Sequence, residues 1–196
     1  MMPSLKRALT RYWPAYALLL VAMPVLSYFV VEQIQKPKNE ETISIFIASC
    51  SADARYVKEK LASSKPSYLL EINLYSYSYL ESTFSSYYQA NGKLDADLII
   101  LPESKIDDAA LITYYAPLDA AHCSSTDYLT KESSTHYGML VRSIGEANSL
   151  LTFTDSAHDE NYYAFFGKSS LHAGSITGSQ YETSLSFLSF IKGEQA

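Results

Sequence analysis

Between Arg11 and Glu32 the chain carries no charged residue, and positions 12–31 are dominated by Ala, Leu, Val, Met and aromatics. A bilayer core needs roughly 20 apolar residues at helical rise, so this stretch reads as one transmembrane helix. Tyr12, Trp13 and Tyr16 at its start and Tyr28 and Phe29 near its end have the aromatic placement expected at headgroup depth. Pro24 is expected to kink such a helix without ending it.

Lys6, Arg7 and Arg11 precede the span, whereas Lys36 and Lys38 follow it among Glu32, Glu40 and Glu41. That bias favours a cytoplasmic N-terminus and an extracytoplasmic remainder. A cleaved signal peptide would have a shorter apolar region and a small-x-small site, which Phe29-Val30-Val31-Glu32 does not supply, so a retained signal-anchor is the expectation. Ile47-Ala48-Ser49-Cys50 has the residue types of a lipoprotein box, but the polar linker 32–41 separates it from the apolar segment, which argues against lipidation. The chain thus divides into a cytoplasmic N-terminus (1–11), a span (12–31), a linker (32–41) and one extracytoplasmic domain (42–196), long enough to bury a core.

Formal net charge is −6 and no basic stripe is present, which excludes the electrostatic footprint of a nucleic-acid binder. Cys50 and Cys123 match no metal-knuckle or redox spacing. One disulfide, permitted outside the cytoplasm, and two small buried thiols both fit them.

Within the domain, 43–48 is apolar and β-branched, the pattern of a buried strand. Ala54, Val57 and Leu61 give the next segment one helical stripe that ends before Pro66. Residues 69–79 alternate, with Leu70, Ile72 and Leu74 on one face and Tyr75, Tyr77 and Tyr79 on the other. A helix over 80–90 stopping at Asn91-Gly92, a buried strand over 96–101 and a short helix over 109–115 follow. Beyond 120 the pattern predicts strands at 137–141 and 162–166 and a closing helix over 182–191. Alternation of this kind predicts an α/β fold with a mostly parallel sheet and helices on both faces.

Several strings carry a resemblance. Ala96-Asp97-Leu98-Ile99-Ile100-Leu101 after Gly92, then Tyr115-Ala116-Pro117-Leu118-Asp119, then Tyr137-Gly138-Met139-Leu140-Val141, resemble the first lobe of extracellular solute-binding proteins of ABC importers, the type II periplasmic-binding fold. Residues 162–170 are a weaker echo of the strand that returns to that lobe. The resemblance implies a transporter permease as partner and a small solute such as a sugar as ligand. The chain departs from the family in having no room for a complete second lobe and in carrying a spanning helix instead of a lipidated cysteine.

Ligands of open parallel sheets bind outside the carboxyl ends of the strands, which points to Ser49, Ser51, Glu103 and Ser104. These residues also suit helix-capping turns. Tyr75, Tyr77 and Tyr79, with Tyr87 and Tyr88 nearby, offer rings with a flat face and a polar tip, as sugar stacking or a protein contact requires. His122, His136, His158 and His172, with Asp155, Asp159 and Cys123, lack metal-ligand spacing and read as surface or capping residues. No nucleophile elbow or phosphate loop occurs, and Ser169, Ser170 and His172, though neighbours in sequence, do not make a catalytic group by that alone. The expectation is a non-enzyme without cofactor: a tethered solute-presenting or accessory component of an importer, or an interaction or sensor module that captures no ligand.

Overall fold

The computed structural model describes residues 3–35, 37–49, 54–119, 124, 127–130, 135–146, 159–176 and 181–192. It comprises two compact units, Met1–Pro37 and Lys38–Ala196.

The first unit is a helix, α1 (Pro3–Gln35). Large apolar side chains stand exposed on it, among them Trp13, Leu18, Leu20, Val21, Met23 and Leu26. Among the described residues no helix is long and apolar enough to cross a membrane. The expected transmembrane helix is corrected to that extent. The backbone of 12–31 is nonetheless helical throughout.

The second unit is an α/β domain with a six-stranded sheet in the order β2-β1-β3-β6-β5-β4. The strands are β1 (Thr42–Ala48), β2 (Glu71–Tyr77), β3 (Leu98–Pro102), β4 (Tyr128–Leu129), β5 (His136–Arg142) and β6 (Tyr162–Phe166). β1 pairs in parallel with β2 and with β3. The crossovers are α2 (Ala54–Ser64) and α3 (Phe84–Tyr87), the latter running into a π-helical turn, Tyr88–Lys93.

The other half is antiparallel: β6 runs against both β3 and β5, and β4 runs against β5. The sheet is therefore mixed, not mostly parallel. A parallel neighbour has to be reached by a crossover, as α2 and α3 provide for β1, β2 and β3, and β6 instead lies antiparallel to both of its neighbours. β6 enters between β3 and β5, leaving β5 pointing the same way as β1, β2 and β3.

Local chemistry sets the ends of these elements. The Asp107 carboxylate accepts from the Ala109 N–H at 3.1 Å and caps α4 (Asp108–Tyr114), satisfying a first-turn donor that the helix leaves open. Pro102 closes β3 and pairs with Tyr162 at the start of β6. Gly167 follows β6 where the chain passes the Ala96 carbonyl; a Cβ there would stand 2.4 Å from that oxygen, so only glycine fits. Phe46, Leu98, Ile99, Phe165 and Phe166 are fully buried in the sheet, and α5 (Thr183–Lys192) adds Phe187, Leu188 and Ile191 to the core. Tyr115 is buried with them, and its ring packs on Phe165 at 5.3 Å.

Candidate functional site at the carboxyl edge of the sheet

The register places the expected residues at one edge. Ala48 pairs with Tyr77 and Ile47 with Ile100, so Ser49, the end of β2 and the Glu103–Lys105 turn after β3 all emerge on the carboxyl side of the parallel strands. Because β6 is reversed, its entry segment 159–161 arrives at the same edge, opposite Pro102, and Arg142 ends β5 there.

These groups bond to one another. Glu160 accepts from the Ser104 N–H at 2.8 Å and from the Ser104 hydroxyl at 3.1 Å. The Asn161 amide donates to the Glu103 carboxylate at 2.9 Å, and the Glu103 N–H donates to the Asn161 carbonyl at 2.9 Å. Ser49 is buried, and its N–H donates to the Tyr77 carbonyl at 3.0 Å. Ser51, Cys50 and Cys123 lie outside the described residues, and so does any pairing of the two cysteines.

Arg142, which carried no signal in the sequence beyond ending an apolar strand, organises this corner. It is buried, its Nε donates to the Glu146 carbonyl at 2.7 Å, and Nη1 reaches the Glu160 carbonyl at 3.3 Å. Nη2 stands 2.5 Å from Asp159, while the guanidinium lies 6.0 Å from the Tyr162 ring centre. A hydrogen bond from Arg142, with a second from the Gly145 N–H, holds the Asp159 carboxyl below its ordinary range. Hydrogen bonds to the charged form of a carboxylate stabilise that form.

The tyrosine ladder differs from its expected form. β2 ends at Tyr77, so Tyr79 leaves the strand face and is buried, with Lys105 Nζ 5.8 Å from its ring. Tyr75 is half-buried and packs on the core. Tyr77 stacks on Tyr87 at 4.3 Å and 7°, and its hydroxyl accepts from Asn91 at 3.4 Å. Tyr88 lies inside the core, its hydroxyl 2.5 Å from that of Tyr115. Rings stacked on each other in this way have one face already occupied.

A cavity of about 300 Å³ lies at the opposite, amino-terminal edge of the parallel strands, lined by Asn39, Thr42, Ser44, Asp95, Asp97 and Ser169 with Leu94 and Leu171. The Asp97 carboxylate accepts from the Ser44 N–H at 2.9 Å and from the Ser170 hydroxyl at 2.7 Å. His172 is buried rather than at the surface. Its Nε2 lies 2.8 Å from the Thr42 carbonyl and 3.2 Å from that of Asn39, so it must carry the proton. Ser170 accepts from the His172 backbone N–H at 3.0 Å, while the imidazole faces main-chain carbonyls. The arrangement is a structural clamp on the first residues of the domain, not a nucleophile with its base.

Of the other residues considered for metal binding, His136 is half-buried and Asp159 is paired as above, while His122, His158, Asp155 and Cys123 lie outside the described residues. Among the described residues no cluster of three metal-ligating side chains occurs.

No family model, no curated protein and no solved structure matches this chain.

Proposed function

We propose that this chain is a membrane-tethered extracytoplasmic α/β domain that docks on another membrane protein, built on the plan of a solute-binding-protein lobe but capturing no solute. The observation that carries the reading is the closed carboxyl edge. Ser104 with Glu160, Glu103 with Asn161, Arg142 with Asp159 and Tyr77 with Tyr87 each satisfy a partner in the same chain. Binding groups held by one another offer a solute little that water and the protein do not already supply.

The tether is α1. Its exposed apolar side chains, the uncharged sequence of 12–31 and the cations before it support a helix retained in the bilayer with the domain outside. The likeness to the first lobe of solute-binding proteins of ABC importers is supported by β6 entering in reverse between β3 and β5, since the echo of a returning strand lies in the same residues. A transporter permease is the partner this likeness suggests. Extraction of the full chain in mild detergent should recover a membrane protein with it; recovery of the chain alone from native membranes contradicts docking.

A second reading, a component that presents a small solute such as a sugar, is favoured by the polar cavity at the amino-terminal edge. Thermal-shift measurements separate the two. A ligand at a hundredfold excess over its dissociation constant stabilises the folded state by about 2.7 kcal/mol. A docking module leaves its melting temperature unchanged across a panel of sugars.

A further inference from the structure

The two edges of the sheet are finished differently. β4 is two residues long and shifts register against β5, and a short irregular strand is one way an edge is kept from pairing with a foreign strand. β2 runs for seven residues in unbroken register with β1, and beyond Glu71 it contains no charge, proline or bulge. No described strand pairs with its outer side.

The hydrogen bond from the Ser49 N–H to the Tyr77 carbonyl sets the phase of the ladder. Residues of a strand alternate between neighbours, so Tyr77, Tyr75 and Asn73 turn towards β1, and Ile72 and Leu74 turn their N–H and C=O groups outward.

We propose that the outer side of β2 pairs antiparallel with β2 of a second copy of this chain, across a two-fold axis through Asn73. In that register Ile72 stands opposite Leu74 of the second copy and exchanges both backbone hydrogen bonds with it, and the symmetry repeats the exchange. The flanks of the strand are self-complementary in the same arrangement. The leading end carries Lys65, whose Nζ donates to the Leu70 carbonyl at 2.9 Å, together with exposed Tyr68 and Leu70. The trailing end carries exposed Leu80 and exposed Glu81. Antiparallel pairing brings Lys65 of each copy to the side of Glu81 of the other and gathers exposed apolar side chains, twice. It also keeps the two Glu71 carboxylates apart, facing Tyr75 of the opposite copy, whereas parallel in-register pairing would oppose like charges. This contact is independent of whether the domain docks on a permease.

The test uses the full chain in detergent micelles, with protein mass followed by sedimentation across a concentration series for the wild type, Lys65→Glu, Glu81→Lys and the double variant. The wild type should form a dimer. Each single reversal should weaken it on the order of tenfold without changing the circular-dichroism melt, and the double reversal should restore it. Hydrogen exchange at the Ile72 and Leu74 amides should be slow in the dimer and accelerate on dilution. A wild-type monomer at every concentration, or a dimer indifferent to both single reversals with fast exchange at Ile72 and Leu74, overturns the proposal.

Discussion

The hydroxyls of Tyr88 and Tyr115 meet at 2.5 Å inside the domain, joining the π-helical turn before β3 to the segment after α4. Burial pushes Tyr88 up to about 12, with the bond to Tyr115 acting the other way, and burial raises Tyr115 further. An unfolded tyrosine titrates near 10, so above that pH the unfolded state gives up protons that the folded state keeps. The stability carried by the pair is present below about pH 10 and declines as pH rises towards 12. Alkaline unfolding followed by tyrosinate absorbance should fall in that window. Tyr88→Phe should cost about 1–3 kcal/mol because the Tyr115 hydroxyl loses its partner, and the double Phe variant should cost less than the two singles combined.

Arg142 and Asp159 give the opposite sign. The Asp159 carboxyl is held low by Arg142 and by the Gly145 N–H, so its contribution is present above about pH 4 and is lost as pH falls through the depressed value. Asp159→Asn should lower stability at neutral pH and flatten the acid limb of the stability profile. Arg142→Ala, which empties a buried position and leaves the Glu146 and Glu160 carbonyls without their donor, should cost about 2 kcal/mol in denaturant unfolding.

At Gly167 the prediction is steric. A Cβ would approach the Ala96 carbonyl to 2.4 Å, and both the Gly167 N–H bond to Asp97 and the bridge to Tyr115 fix the backbone on that side. Gly167→Ala should therefore lose about 1–3 kcal/mol, read as a lower denaturant midpoint at unchanged slope.

Asp97 joins the start of β1 to the segment after β6 through Ser44 and Ser170. Asp97→Ala should cost about 2 kcal/mol and loosen the edge where the domain begins, visible as faster hydrogen exchange at the Ser44 amide.

Most elements were legible because their signals are local. The apolar runs at 43–48, 96–101, 137–141 and 162–166 correspond to β1, β3, β5 and β6 to within two residues at either end, and the stripe over 182–191 corresponds to α5. What the pattern could not convey was direction. A run such as Tyr162–Phe166 is equally apolar whichever way it lies, and its reversal shows only in its pairing with β3 and β5. Tyr79 departs from the strand face although period-2 alternation continues past Tyr77, because the backbone has already left β2 there. β4 carries no sequence signal, because two residues in a polar stretch give no period to read. The shared edge of Ser49, Glu103 and Ser104 is legible, because parallel strands in register end on one side of the sheet. Their partners Arg142, Glu160 and Asn161 come from far along the chain, and no local pattern names them.

The proposed function requires α1 to hold the chain in a bilayer with the domain outside the cytoplasm. The direct measurement is labelling of the intact cell with a membrane-impermeant amine reagent, followed by alkaline extraction of its membranes. The full-length chain should remain in the extracted membranes with lysines of the domain, such as Lys58 and Lys93, already modified. Recovery of the chain in the soluble fraction, or modification of those lysines only after the cell is opened, would contradict it.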